Sequence, residues 1–493
     1  MALIFEFGVF YGNITLQTAR YLRFEIGFSE LPKEPIVLTP DHASDIRLFN
    51  SAFELLKEWM DIEEADDFQP LGNAAVYKTS VVLWLMLFQR LNPNTSLKGA
   101  VEHFFTNAPR GKNANKRLRD GTLSQRSSSY SDSRKRLTLE VVDWFQNRLS
   151  HSIIESTPPS FNDQRVFLID GTTLPGAPSP ALRKAFPPAS NQHGPGVWPV
   201  ILLVTAHELS SGAALPPEIG AMYGEKAIAE TRLAEPLIAR LPERSIVMAD
   251  AGFGIYSVAL TAKNNGHNFV LRLTKQRFNA HKKKATLLDS TATSRTYDFV
   301  WTPSDKERAT NPSIPTDSTL RVKLYELKIG EEWLFLVTDL TASPKAFKDF
   351  YFQRNHIEID IRNIKVVFDT ESLTSKSVEM FRKELGMAMV AYNLTSQLRR
   401  QAAYVANCTP RELSFTGVWT VYRHHLQSRQ AKDATQWKAQ FEIALQRASL
   451  QMLTKRPGRS YPREAYTRRS KTTHFQKRKT KDKPSESSET PLK

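Results

Sequence analysis

The chain has 493 residues, of which 41% are hydrophobic and 24% charged, a composition typical of globular proteins with about two to four domains. Its 67 Lys and Arg exceed its 51 Asp and Glu, and the net charge of +16 indicates a polyanionic partner, either nucleic acid or an acidic membrane surface. The single cysteine, Cys408, excludes an internal disulfide, and no Cys/His cluster suggests zinc, so we expect a reducing cytoplasmic setting.

The N-terminal segment, residues 1–45, stays unassigned. Its first residues are apolar, but they lack the basic start of a signal peptide and include Glu6. The strongest apolar run of the chain, Val81 to Phe88, is far shorter than the roughly 20 residues that a membrane span needs. We therefore expect a buried helix at this run and no membrane partner.

Residues 46–157 are predicted to form a helical region, because apolar residues recur there at helical spacing. Its segment 109–137 is strongly basic, with only Asp120 and Asp132 as acids. The basic residues are Arg110, Lys112, Lys116, Arg117, Arg119, Arg126, Arg134, Lys135 and Arg136. The segment either contacts DNA or is a solvated charged loop, and the sequence leaves both interpretations open.

From Val166 onward the pattern changes to short β-rich runs separated by helical stretches. The strand-like runs lie at 166–170, 197–209, about 214–222, 245–250 and 269–273, with helices expected at about 225–241 and 256–264. Three strands, a helix, a strand, a helix and a strand predict an α/β fold with a ribonuclease-H-like core and a mixed sheet. We assign this core to residues 158–274 and 344–403.

A polar stretch, residues 275–343, interrupts this core and contains three strand-like pieces, so it is predicted to be a β insertion. One helix is then expected from about Pro344 to Asn363, with its proline in the first turn. Further helices are predicted at about 376–403 and, within a C-terminal helical region at 404–454, at about 433–453. The tail, residues 455–493, contains thirteen Lys or Arg and four acids, and we expect it to be partly disordered.

Two aspartates are candidates for metal binding. Asp170 and Asp250 each follow a hydrophobic strand-like run and precede small residues. Carboxylates at the carboxyl ends of two buried strands can converge on one point, and two such acids attract a hard cation such as Mg²⁺. The alternative for either residue alone is an aspartate that caps the following turn.

A third acid is expected on the helix after the insertion. Tyr351, Arg354, Glu358 and Lys365 lie within about 60° of one another around a helix axis, and Arg362 lies in the same sector. This placement selects Glu358 over the neighbouring Asp360, which would face the opposite side, so a variant of Asp360 is expected to remain active. A solvated helix face with an Arg354–Glu358 pair is the open alternative.

These residues resemble the signature of DDE-type insertion-sequence transposases, specifically family four of that classification. Tyr351, Arg354, Glu358 and Lys365 reproduce its Tyr, Arg, Glu, Lys spacing without a gap. The segments around Asp170 (IDGTTL) and Asp250 (MADAGFG) resemble the first and second acidic motifs of the family. The resemblance covers about residues 80–470.

The resemblance implies that Asp170, Asp250 and Glu358 are catalytic and bind two Mg²⁺ ions, for which Mn²⁺ can substitute. It further implies that basic and aromatic residues of this helix hold DNA, and a tryptophan of the insertion would stabilise a flipped base. The predicted DNA-binding residues are Tyr351, Arg354, Arg362, Lys365 and Trp333. Trp301 is the alternative to Trp333, and for each of them taken alone the residue type favours a core position.

By resemblance, the expected function is cleavage at transposon ends and strand transfer into target DNA, by cut-and-paste with a hairpin intermediate. The expected partners are double-stranded terminal inverted repeats, target DNA and a second copy of the chain, at the nucleoid in a bacterial cytoplasm. Two alternatives stay open. One is a nuclease on the same fold that does not join DNA, and the other is a catalytically inactive DNA-binding protein descended from a transposase.

Overall fold

The computed structural model describes residues 61–72, 75–107, 115–192, 194–427 and 434–454. Nearly all of them belong to one unit, Met1–Met452, and Leu453–Lys493 form a second unit. The unassigned segment 1–45, the basic residues Arg110 and Lys112, and the tail 455–493 lie outside the described residues. Within the described part, every helix is too short or too polar to cross a membrane.

The region before the sheet is helical, as the spacing of its apolar residues predicts. Its helices are α1 (Ala65–Phe68), α2 (Thr79–Leu91), α3 (Leu97–Asn107), α4 (Lys116–Arg119), α5 (Ser128–Arg136) and α6 (Leu139–Glu155), preceded by a 3₁₀ turn at Ile62–Glu64. The expected buried helix at Val81 to Phe88 is confirmed, since α2 buries most of its residues. Arg134, from the basic segment, is also buried and forms an ion pair with Glu384 at 2.5 Å, so it contributes no charge to the surface.

In the described residues, nine strands form one mixed sheet, which confirms a mixed α/β fold with helices at both ends. The sheet order is β5 (Glu218–Ala221), β4 (Val200–Glu208), β1 (Val166–Pro175), β6 (Ile246–Ala249), β7 (Asn268–Arg272), β11 (Glu332–Thr338), β10 (Leu320–Ile329), β9 (Ser294–Trp301) and β8 (Thr286–Ser290). A small hairpin, β2 (Ser190–Asn191) with β3 (Gly194–Pro195), stands apart from it. Strand β1 pairs antiparallel with β4 and parallel with β6, which in turn pairs parallel with β7.

The segment 275–343 adds its strands to this same sheet, because β11 pairs antiparallel with β7. Its three predicted strand-like pieces are β9, β10 and β11. The sequence pattern did not indicate β8, whose five residues are all exposed and therefore lack an alternation between apolar and polar positions. The segment also contains the short helices α10 (Lys275–Lys282) and α11 (Asp305–Thr310).

The prediction of one helix from Pro344 to Asn363 is wrong. Helix α12 (Pro344–Phe352) ends in a 3₁₀ turn at Gln353–Asn355, and α13 (His356–Val367) follows it. Apolar residues continue at helical spacing through this junction, so the sequence pattern gave no sign of it. The tighter 3₁₀ turn places Arg354 between the two helices rather than within one.

The remaining helices surround the sheet. They are α7 (Pro180–Ala185), α8 (Glu230–Ala239), α9 (Tyr256–Asn264), α14 (Val378–Val405), α15 (Phe415–Gln427) and α16 (Ala434–Ser449). Helix α14 is the longest of them, and it packs against α2, α6, α13, α15 and α16. Because α14 contacts both the N-terminal helices and α13, it holds the helix that carries Glu358 in position.

Candidate active site

Asp170 lies inside strand β1 and not at its end, contrary to the sequence-based expectation. The parallel pairing of β1 with β6 ends at Ile169, but its antiparallel pairing with β4 continues from Asp170 to Pro175. Asp170 therefore stands where β1 loses one of its two neighbours, and this opening leaves room for its carboxylate at the sheet surface. Its Oδ1 accepts a hydrogen bond of 2.9 Å from the Gly171 backbone N–H, which fixes the carboxylate orientation.

Asp250 directly follows β6, as predicted, and the loop after it is held in place by backbone contacts. Its Oδ1 accepts a hydrogen bond of 2.8 Å from the Gly252 N–H. Arg277 donates to the carbonyl oxygens of Ala251 and Gly254 at 2.7 and 3.2 Å. Gly254 must be glycine, because a Cβ there would lie 2.0 Å from the backbone oxygen of Arg272.

The three predicted acids meet at one guanidinium group, that of Arg354. Its Nη2 lies 2.7 Å from Asp170 Oδ2 and 3.8 Å from Asp250 Oδ2, and its Nη1 lies 2.8 Å from Glu358 Oε1. The Arg354 side chain is only 11% exposed, and its Nε has no hydrogen-bond partner. The structure thus brings together one acid from β1, one from the end of β6 and one from α13.

Glu358 and Asp360 lie on different sides of α13. Glu358 and Asp170 both form ion pairs with Arg354. Asp360, in contrast, is fully buried and accepts two hydrogen bonds from Arg411, at 2.7 and 2.9 Å. The structure therefore places Glu358, and not Asp360, with the other two acids. This is the separation of faces that the helical spacing predicts.

The other signature residues of this segment differ in their surroundings. Lys365 contacts Thr172 Oγ1 at 3.3 Å and Glu371 Oε1 at 2.8 Å, so it lies beside the same strand as Asp170. Arg362 is exposed. Tyr351 is buried, and its hydroxyl donates to the backbone oxygen of Ala249 at 3.3 Å, which ties α12 to the strand that ends before Asp250.

The two candidate tryptophans of the insertion differ in burial. Trp301 is a core residue that packs edge-to-face against Tyr256. Trp333 is half-buried on β11, and the Arg295 guanidinium lies 5.4 Å from the centre of its ring. Of the two, only Trp333 presents any ring surface that a base could contact.

Sequence reasoning missed a fourth acid at this site, Glu230, the first residue of α8. A Cβ added to Gly171 would lie 2.6 Å from the Glu230 carboxyl group, which therefore contacts β1 on the face opposite to the Asp170 side chain, because successive residues of a strand point to opposite faces. Burial raises the pKa of Asp170 to about 6, Arg354 opposes the shift, and Asp250 and Glu230 add to it. The sequence predicts a helix from about 225 to 241, whereas α8 begins at Glu230. Helical spacing alone does not indicate that Glu230 faces β1.

The donor atoms at this site are carboxylate oxygens, which are the ligands that Mg²⁺ and Mn²⁺ prefer. As the side chains are placed, no three acids, His or Cys among the described residues group closely enough to hold a metal ion. The reason is visible in the geometry, because the Arg354 guanidinium lies between the carboxylates. The chemistry of these clustered carboxylate oxygens fits a site in which the acids would accept a divalent cation in place of Arg354.

Comparisons with known proteins agree with this arrangement. Residues 161–394 match the family described as transposase DDE domain, and this range contains all three acids. The transposase InsG for insertion sequence element IS4, from Escherichia coli strain K12, is 25% identical over 300 residues, which are 59% of this chain and 65% of that protein. The chain therefore spans slightly less than two thirds of the length of this relative.

A solved structure, the cryo-EM structure of the piggyBac transposase synaptic complex with hairpin DNA, also aligns with the chain. The alignment covers 84% of this chain and 85% of the other, with 11% identity and a TM-score of 0.36. This likeness is too weak to bear on the function. The family match over residues 161–394 and the InsG relative agree with the resemblance seen in the sequence, so this part of the chain is similar to the transposase DDE domain.

Proposed function

We propose that this protein is a DNA transposase that cleaves the ends of its element and joins them to target DNA, with divalent metal ions bound by Asp170, Asp250 and Glu358. The observation that carries the proposal is the meeting of these acids, from three separate elements of the matched domain, at the Arg354 guanidinium. Its substrates would be the terminal inverted repeats of the element and a target duplex.

The sheet order supports a ribonuclease-H-like core. The five strands in the order β5-β4-β1-β6-β7 contain two antiparallel pairings followed by two parallel ones, and they carry Asp170 and Asp250 at the middle. In this interpretation residues 158–274 and 344–403 form the core, and the four strands of 275–343 are an insertion that extends its sheet. Glu358 then follows the insertion on α13.

Divalent ions, when bound, supply positive charge to the attacking and leaving oxygens of an in-line displacement at phosphorus. Residues of the chain orient the carboxylates and balance their charge. Backbone N–H groups of Gly171 and Gly252 orient the Asp170 and Asp250 carboxylates before any ligand arrives. Arg354 neutralises the acids in their resting state, and its guanidinium would turn to a DNA phosphate when its place between the carboxylates is taken.

The remaining parts of the proposal concern DNA positioning. Lys365 and the exposed Arg362 lie on the same helix as Glu358, so they would contact phosphates on either side of the cut. Trp333 would stack on a flipped base. We assign end recognition to residues 46–157 and nonspecific affinity to the basic tail, with two copies of the chain holding two ends and a hairpin formed before strand transfer.

The test uses the full chain with labelled duplexes that carry the inverted repeats flanking its own reading frame, in Mg²⁺ or Mn²⁺. We expect cleavage at the repeat end, a hairpin on denaturing gels, and joining of pre-cut ends to a plasmid. Asp349→Asn is the matched control, because it changes an exposed acid on α12 away from the cluster. Cleavage without joining would indicate a nuclease, and sequence-specific binding without cleavage would indicate an inactive descendant.

A further inference from the structure

We propose that the segment between β1 and β4 is a DNA-binding arm, in which the Trp198 ring packs against bases in a groove of the duplex and Lys184 contacts its phosphates. This β1–β4 arm consists of the described residues 176–192 and 194–199, and it contains α7 and the small hairpin of β2 and β3. The inference rests on the proposed function and deepens it, because it names a second region that holds the DNA carrying the element end. Neither aspartate motif nor the signature segment includes the arm.

The arm lies on the side of the sheet to which the Asp170 side chain points. Leu174 of β1 and Leu182 of α7 belong to one apolar cluster. Because side chains alternate along a strand, Leu174 shares its face of β1 with Asp170, so α7 covers the continuation of that face. The Ser179 hydroxyl donates to the backbone oxygen of Lys376 at 2.7 Å, which ties the arm to the segment that follows α13.

Strand pairing sets the distance between the arm and the acid site, formed by Asp170, Asp250 and Glu358. Asp170 lies opposite Thr205, and the last residue of β1 lies opposite Val200, two residues after Trp198. Five extended residues span about 17 Å and seven about 23 Å, whereas a duplex advances about 3.4 Å per base pair. A duplex that is cut beside Asp170 and runs along this face would therefore reach the arm after roughly five to seven base pairs.

Trp198 is held in solvent by a stiff backbone. It is 57% exposed, and the preceding Val197 is 58% exposed. Arg183 donates to the backbone oxygen of Val197 at 2.7 Å, and the Gly176 N–H donates to the backbone oxygen of Pro199 at 3.0 Å. Six of the chain's 28 prolines lie in the arm, and each of them fixes one backbone dihedral. The arm therefore presents an aromatic ring in a fixed position before any ligand binds.

The charge of the arm is complementary to that of DNA. The sequence contains no Asp or Glu between Asp170 and Glu208. Arg183 and Lys184 lie in the last turn of α7, and Lys184 is exposed. Basic residues attract the phosphates, and an aromatic ring beside them packs against bases of any sequence, so the two together are typical of a nucleic-acid surface.

A simpler interpretation treats these features separately. Single apolar residues are common on protein surfaces, and basic residues in the last turn of a helix interact favourably with its dipole. This interpretation predicts that Trp198→Ala and Lys184→Ala leave DNA binding unchanged. A second copy of the chain could also cover Trp198, and that occupant predicts a change in oligomeric state instead.

The experiment measures binding of the full-length protein to a duplex that carries the terminal repeat and DNA on both sides of the cut, without divalent metal so that no cleavage occurs. We expect Trp198→Ala to weaken binding by about tenfold and Trp198→Phe to retain most of the affinity, because a smaller aromatic ring still packs against bases. Lys184→Ala should lower the salt dependence by about one unit of slope. Leu288→Ala is the matched control, since it removes a 54% exposed apolar side chain from β8, at the far edge of the sheet.

Footprinting of the same complexes identifies which DNA the arm holds. The wild type should protect a stretch roughly five to seven base pairs from the cleaved bond, and Trp198→Ala should lose this protection. Loss on the flanking side assigns the arm to the DNA outside the element, and loss on the other side assigns it to the element end. An unchanged footprint and affinity in Trp198→Ala would overturn the inference, and so would normal DNA binding by a variant that sediments as a smaller species than the wild type.

Cleavage in Mg²⁺, assayed separately, distinguishes this inference from the proposed function. If the wild type cleaves and Trp198→Ala binds DNA equally well, the proposed function stands and the arm is wrong. If the wild type does not cleave while Trp198→Ala still loses affinity, the arm stands and the catalytic part of the proposed function is wrong. Because Trp198 and Lys184 are exposed, their variants should melt at the wild-type temperature, which verifies that folded proteins are compared.

Discussion

Two carboxylates on helix α13 are separated by one residue and have opposite surroundings. The Glu358 side chain is 56% exposed, and among the described residues its ion-pair partner is Arg354. Asp360 is completely buried, and both of its oxygens accept hydrogen bonds from Arg411. The comparison teaches that one face of this helix, called the open face below, is exposed, while the other face is fully engaged within the protein.

The buried face is a network that holds α13 in position. Arg411 also donates to the backbone oxygen of Leu209, at the end of β4, at 2.8 Å. His207 Nδ1 lies 3.7 Å from the same Asp360 carboxylate, and burial lowers the pKa of this histidine. Asp360 therefore connects α13 to the sheet, and it determines where Glu358 stands without contacting it.

The largest effect is expected on the open face. Glu358→Ala should reduce cleavage at the element end by about a thousandfold or more, because a metal-binding acid of the reaction is lost. Asp170→Ala and Asp250→Ala should behave alike. Since Glu358 is largely exposed, its variant should keep its urea unfolding midpoint and its affinity for the end DNA. Full cleavage by Glu358→Ala would show that the two faces have been assigned the wrong way round.

On the buried face the loss should appear in stability. Asp360→Ala leaves Arg411 buried without its partner, and breaking such a pair costs about 3–5 kcal/mol of unfolding free energy. The expectation of an unaffected Asp360 variant is therefore revised, because no sequence pattern indicates the contact between Arg411 and Asp360. Urea titration measures the loss, and the fraction that remains folded should still cleave. An Asp360→Ala protein as stable as wild type would contradict the buried ion pair.

Asp170, in the acid site, and Asp360, on the buried face, should also respond oppositely to pH. Burial raises the pKa of Asp170 from 3.8 to about 6, so the folded state keeps this proton longer than the unfolded state does. The unfolding free energy of the metal-free protein should therefore fall as pH rises from about 4 to above 6. Asp170→Asn removes this loss and should be more stable than wild type at pH 8 by on the order of 2–3 kcal/mol, but not at pH 4.

For Asp360 the sign is reversed. Burial would raise the pKa of this carboxyl group, but Arg411 and His207 outweigh burial and lower it. Its contribution to stability is therefore present above pH 4 and is lost as the pH falls below that value. If the difference in unfolding free energy between wild type and Asp170→Asn were the same at pH 4 and pH 8, the raised pKa of Asp170 would be contradicted. Asp349→Asn again serves as the exposed control.

The smallest effects concern the basic residues of the open face. Arg354→Lys keeps the charge but cannot span two carboxylates, or two phosphate oxygens, with one planar group, so cleavage should fall by about tenfold. Lys365→Arg should be milder. Arg354→Ala and Lys365→Ala should each reduce the salt dependence of end binding by about one unit of slope. An unchanged slope and full cleavage in Arg354→Ala would mean that Arg354 neither contacts DNA nor contributes to cleavage.

Sequence periodicity was sufficient for the core strands β1, β4, β6 and β7 and for the separation of Glu358 from Asp360, because both depend on local spacing. It could not place Asp170 within β1, since the continuation of that strand is set by its pairing with β4. Nor could periodicity indicate that Arg411 contacts Asp360 or that Glu230 lies against Gly171. Each reaches the site from a distant element, and no motif marks a contact between residues that only the tertiary fold brings together.

The contact between Arg354 and Asp170 joins residues 184 positions apart, and the Arg411–Asp360 contact extends the requirement further along the chain. During translation, Asp170 and Asp250 leave the ribosome long before Arg354, the arginine that contacts both of them. Until then these acids repel one another on a growing sheet. A nascent or truncated chain consequently holds an incomplete site, and the proposed cleavage of DNA would require synthesis to have passed Arg411.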